Sequence, residues 1–137
     1  MSRMIMDAGP LVAWLCRKDA HHRWALDTLR PLPAASLTCE AVLTEACHLV
    51  AKDGVDPGNV LEMVGRGALL VVPLNEETGP VRSLMAKYRD IGMDFADACV
   101  VRLAELHEDA TVCTTDSDFK VYRRHGRREI PLLAPWG

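Results

Sequence analysis

Four carboxylates fall where a folded chain should not leave them unaccompanied: Asp7, Glu45, Asp97 and Asp116. Asp7 ends the apolar run Met4-Ile5-Met6 and precedes Ala8-Gly9-Pro10, a turn into a helix. Asp116 follows the run from Ala110 to Thr115 at a second strand-to-helix junction, with Asp118 two residues on. Glu45 lies three residues after Val42 and four before Leu49, inside the apolar stripe of Val42, Ala46, Leu49 and Val50. Asp97 sits four after Met93 and four before Val101, inside the stripe of Met93, Ala96, Val100, Val101 and Ala104. A carboxylate on a core-facing stripe costs several kcal/mol unless a cation accompanies it.

Each acid alone has an ordinary explanation. Asp7 can cap the helix that starts near Pro10, and Asp116 or Ser117 can cap the one containing Phe119. Glu45 can pair with a buried arginine, and Asp97 can lie at a helix rim. Together they point to one place. In an open parallel sheet, ligands bind in the crevice at the carboxyl ends of the strands. Two acids at strand ends and two on inward helix faces can meet there, and like charges that meet cannot all ionise without a cation. A donor set made only of oxygen suits Mg²⁺ or Mn²⁺.

The elements that must position these acids are legible from periodicity. A strand is expected at about 3–7, a short helix from Pro10 and a second helix at about 19–30. A strand at 34–38 leads into a helix at about 40–53, ended by Asp53-Gly54, and another helix follows Asp56-Pro57-Gly58. The apolar run 68–72 reads as a strand covered on both faces. Helices are expected at about 76–90 and 93–108, a buried strand at 110–114 and a last strand at 130–134. Strands alternating with helices imply a central, mainly parallel sheet. The fold class expected is therefore three-layer α/β, one domain over 1–137.

Composition agrees. The chain has 137 residues, long enough for a real core, and 49% of them are hydrophobic, which excludes a disordered chain. No apolar run approaches a membrane span and no secretory signal is evident, so a soluble cytoplasmic protein is expected. Five cysteines without a C-x-x-C pair read as reduced, partly buried thiols rather than a zinc site. A net charge of −3 argues against a basic nucleic-acid coat, though not against a nucleic-acid enzyme. The basic stretch Lys120, Arg123, Arg124, His125, Arg127 and Arg128 reads first as a solvated helix face.

Four segments in order resemble the PIN-domain ribonucleases. Ile5-Met6-Asp7-Ala8-Gly9-Pro10-Leu11-Val12-Ala13 is similar to their opening strand and turn, and Val42-Leu43-Thr44-Glu45-Ala46 to their early helix with an inward acid. Asp94-Phe95-Ala96-Asp97-Ala98-Cys99 matches their D-x-x-D-A segment, and Thr114-Thr115-Asp116-Ser117-Asp118-Phe119 their T-x-D-x-D-F turn. At this length the chain looks most like the VapC-type toxins of toxin–antitoxin pairs. The resemblance implies a Mg²⁺- or Mn²⁺-dependent endoribonuclease, usually a homodimer, silenced by a cognate antitoxin protein. It implies that Asp7, Glu45, Asp97 and Asp116 form the catalytic metal site, with Asp94 and Asp118 as auxiliaries and the Thr114 hydroxyl nearby. Ala8-Gly9 departs from the hydroxyl-bearing pair that many members carry after the first Asp.

An RNA substrate brings its own charge to an acidic crevice, so cations are needed beside it. Lys120, Arg123, Arg124, Arg127 and Arg128 follow Asp116 closely enough to grip phosphates. The sparse aromatics, Phe95 among them, offer no stacking platform of the kind single-strand binders use. No histidine is paired with a nucleophile. A receiver-like phosphoryl-transfer domain would want a mid-chain Asp at a strand end, where Pro73-Leu74-Asn75 stands instead. The other alternative is a non-catalytic PIN-fold binding module acting through a protein partner, which the intact acid set disfavours.

Overall fold

A computed structural model describes residues 3–32 and 34–136, leaving Met1, Ser2, Pro33 and Gly137 outside it. The two strands at its centre are β1 (Met4–Met6) and β4 (Thr111–Cys113), paired in parallel with Ile5 opposite Val112 and Met6 opposite Cys113. Successive strand residues point to opposite faces. Ile5, Met6, Val112 and Cys113 are all buried, so both faces of this pair are covered.

On one side of β1 lie β2 (Ser36–Thr38) and then β3 (Leu69–Val71); beyond β4 lies β7 (Leu132–Leu133). The order is β3-β2-β1-β4-β7 and every pairing is parallel. Helices α1 (Ala8–Leu15), α2 (His22–Leu29), α3 (Glu40–Lys52), α4 (Gly58–Gly65), α5 (Thr78–Lys87) and α6 (Phe95–Leu106) flank this sheet. Helix α1 packs on α2 and α3, α5 packs on α6, and α3 meets α6. The expected three-layer α/β architecture is therefore the observed one. Among the described residues, no helix is long and apolar enough to cross a membrane.

The strand order decides where a site can form. From β1 the chain steps outward to β2 and β3, then returns across β1 to β4 and continues to β7. The reversal falls between β1 and β4, and their carboxyl ends carry Asp7 and Thr114 through Asp116. That is the topological switch point, the crevice such sheets leave open for ligands.

Three expectations need correction. Helix α1 begins at Ala8, two residues before Pro10, because a first-turn proline surrenders only an N–H that has no helical partner. Strand β3 is not covered on both faces: Leu69 is buried, but Leu70 is 42% exposed, because β3 is an edge strand with a single partner. The basic stretch is not a helix face. A 3-10 turn at Ser117–Lys120 leads into an antiparallel ribbon of β5 (Arg123–Arg124) and β6 (Arg128–Glu129). His125 and Gly126, both at positive φ, make its turn.

Candidate metal centre

Each acid is delivered by a local rule. Asp7 continues the β1–β4 ladder, its N–H donating to the Cys113 carbonyl at 3.0 Å, and so enters the switch point as β1 ends. It also caps α1. One carboxylate oxygen accepts from the Ala8 N–H at 2.9 Å, and the other accepts from the Thr114 hydroxyl at 2.7 Å. The Thr114 hydroxyl in turn accepts from the Asp116 N–H at 3.0 Å. One buried threonine therefore ties the first acid to the backbone of the last. Asp116 caps the 3-10 turn, accepting from the Asp118 N–H at 2.9 Å. The capping roles and the convergence are both real, because the helices start at the crevice.

Asp94 and Asp97 come as a reciprocal pair at the start of α6. The Asp97 N–H donates to Asp94 at 2.8 Å, and the Asp94 N–H donates to Asp97 at 3.4 Å, a capping box. The Asp97 oxygen that accepts from the Asp94 N–H has a further donor, from an unexpected residue. The Tyr122 hydroxyl donates to it at 3.1 Å. The Tyr122 ring is fully buried, edge-on to Tyr88 and Phe119 with centroids 5.1 and 5.0 Å away, so the hydroxyl is held rather than free to swing. No periodicity could announce this contact, since Tyr122 lies in the irregular basic stretch.

The electrostatics show how tightly the acids share space. Burial pushes the Asp7 carboxyl up to about 6; hydrogen bonds from Thr114 and Ala8 oppose this, while Asp116 and Asp94 add to it. Glu45, half-buried on α3, is pushed up to about 7 by burial and then by Asp7, Asp94 and Asp116. Asp97 is pushed up to about 7 by burial, Asp94 and Asp7, against the hydrogen bonds from Asp94 and Tyr122. The charges of Asp94 and Asp116 thus reach into the same neighbourhood as Asp7, Glu45 and Asp97. Asp118 stands further out: its charge acts on the Tyr122 hydroxyl, and it reaches Asp116 through its main chain. Among the described residues none of these six forms a salt bridge. Nor do any three Asp, Glu, His or Cys side chains there stand closely enough to cage an ion unaided.

The expected phosphate contacts divide. Arg124 is only 6% exposed and donates to the carbonyls of Ala104 and Glu108, at the end of α6, at 3.4 and 2.9 Å. It is a structural cap, because a guanidinium matches the carbonyls that a helix leaves unpaired. Arg123 donates to the carbonyls of Lys120, Val121 and Tyr122, and Arg128 pairs with Glu108 at 2.9 Å. Lys120 lies over the Trp136 ring at 4.2 Å, and Arg127 is exposed. At Gly9 the departure has a steric counterpart: a Cβ there would stand 2.0 Å from the Thr115 hydroxyl oxygen.

An all-parallel five-stranded sheet with carboxylates gathered at its switch point defines a class of α/β domains whose site is built from acidic side chains. The PIN domain family model matches residues 4–124, and the chain belongs to that family. Its fold is similar to the crystal structure of VapC20 from Mycobacterium tuberculosis, which is described as a toxin that cleaves the sarcin–ricin loop. The TM-score is 0.80 at 16% identity, over 91% of this chain and 98% of that one. No curated protein matches the chain in sequence.

Proposed function

We propose that the protein is a Mg²⁺- or Mn²⁺-dependent endoribonuclease, the toxin of a type II toxin–antitoxin pair. The observation that carries this reading is the group of five carboxylates at the switch point, three of them raised to about 6 or 7, with no salt-bridge partner among the described residues. Such a set ionises fully only around a cation, and its donors are all oxygen. Mg²⁺ keeps several of its waters and needs one or two carboxylates at a time, so a crevice that lines the ion rather than encloses it is a suitable host.

Asp7, Glu45, Asp97 and Asp116 would hold the ion, with Asp94 and Asp118 as auxiliaries. When bound, the metal supplies an acidified water and a Lewis acid for a phosphate oxygen, the chemistry that phosphodiester hydrolysis needs. The chain does the rest. Thr114 orients Asp7 and the turn carrying Asp116, while Tyr122 and the Asp94 N–H fix the rotamer of Asp97. Of the basic residues, Lys120, Arg123, Arg127 and Arg128 remain as candidate contacts to the RNA backbone, and Arg124 does not. A cognate antitoxin, a homodimeric state and a cytoplasmic location belong to the same reading.

The test is to incubate the purified protein with total RNA from its own source and map new 5′ ends. The sarcin–ricin loop cut by the structurally similar VapC20 is the first discrete RNA to try. Cuts that vanish with EDTA and in Asp97→Asn are expected. Absence of cuts together with absence of Mn²⁺ binding would replace this reading with a non-catalytic binding module.

A further inference from the structure

Phe95 is anomalous among the aromatic side chains. It follows Asp94, begins α6 and is 57% exposed, whereas Phe119, Tyr88 and Tyr122 are buried. Two depressions meet at its ring. One is an open trough between α3 and α6 that includes Glu45, His48 and Asp94. The other is a groove of about 280 Å³ running from Phe95 toward the end of β3, walled by Val72, Leu74, Val81 and Cys99. Glu40, Ala41 and Phe95 line both, so the groove adjoins the trough that carries two of the site's acids, Glu45 and Asp94. Asn75 and Thr78 also line the groove and supply one amide and one hydroxyl.

We propose that this groove is a nucleobase pocket that sets the cleavage preference, with one unstacked base beside the scissile phosphate lying against the Phe95 ring. This rests on the ribonuclease reading above. A largely apolar slot lined by one exposed ring and a few polar groups matches a base, which has a π-face to stack and an edge to hydrogen-bond. RNA is read chiefly through such splayed bases, because its helical major groove is closed to side chains. The carboxylates next door repel the backbone, and a base, which carries no charge, can lie against the groove's apolar walls and the Phe95 ring without adding to that repulsion. Asn75, with a donor and an acceptor, is the group suited to distinguish one base edge from another.

The experiment uses a randomised oligoribonucleotide with Mn²⁺, comparing wild type with Phe95→Leu, Phe95→Tyr and Asn75→Ala. Phe95→Leu is expected to raise KM about tenfold with kcat little changed, as loss of one stacked base would. Phe95→Tyr should recover most of that loss, and Asn75→Ala should relax the preference for one base next to the cut. An abasic nucleotide at that position should slow wild type but cost Phe95→Leu nothing further. Wild-type cleavage with all three variants indistinguishable from it would overturn the pocket and leave the ribonuclease reading intact. Unchanged cleavage in Phe95→Leu with weakened repression by a protein partner would assign the ring to that partner and also overturn it. No cleavage by wild type on any RNA would overturn both.

Discussion

The two ends of α6 carry similar numbers of acids and treat them oppositely. At the carboxyl end, Glu105 meets Arg102 at 3.1 Å, Glu108 meets Arg128 at 2.9 Å, and Arg124 closes the helix by donating to its carbonyls. Three arginines and His125 hold two glutamates there, and His125 first, then Arg128 and Arg124, pull the Glu108 carboxyl below its usual range against the burial that opposes it. At the amino end, Asp94 and Asp97 face Asp7, Glu45 and Asp116 with no arginine or lysine in ion-pair reach among the described residues. The positive end of the helix dipole offsets only a small part of that repulsion. The carboxylates at one end of α6 are held by cationic side chains of the chain itself; those at the other end are not, among the described residues.

This contrast can be broken most directly at Asp97. Asp97→Asn should keep the fold and lower RNA cleavage by more than about 100-fold, beyond what loss of an outer-shell group costs. Circular dichroism and single-turnover cleavage check both halves. Arg124→Ala should do the reverse. Losing a charged hydrogen-bond donor to buried carbonyls should cost about 2 kcal/mol in urea unfolding, with Mn²⁺ affinity unchanged. A drop in Mn²⁺ affinity there would mean that the two ends of α6 are coupled.

Tyr122→Phe sharpens the comparison, because it removes one oxygen from the acidic end and keeps the packed ring. Mn²⁺ affinity measured by calorimetry should fall about tenfold, the lower range for a group that orients a ligand. Thermal stability should barely move.

The smallest effect is on pH dependence. Asp7, Glu45 and Asp97 ionise less readily folded than unfolded, so the native state holds the extra protons between about pH 4 and pH 7. Their burial is therefore harmless at low pH and increasingly unfavourable as pH rises through 6 to 7. The melting temperature of metal-free protein should fall by a few degrees from pH 5 to pH 8, and Mn²⁺ should abolish the fall. A metal-free protein that becomes more stable over that window would contradict the unpaired-acid description.

What could be read before folding were features carried by local rules. Glu45 and Asp97 declare themselves by interrupting an apolar stripe, and Asp7 and Asp116 by ending apolar runs, because helices and strands have fixed periods. The basic stretch failed that reading for the same reason: without an apolar period it had no preferred element, and pairing of Arg124 with Arg128 made a ribbon.

The amino-acid sequence by itself determined the order of the strands of the parallel sheet and the helices between them, the α/β class and which acids stand apart. Only tertiary structure decided their company. Tyr122 reaches Asp97 across 25 positions, Thr114 reaches Asp7 across 107, and Arg124 turns inward to α6 rather than outward to solvent. Those contacts join elements that share no local pattern. They are selected when the packed core aligns side chains distant in the chain, which no window of sequence can register.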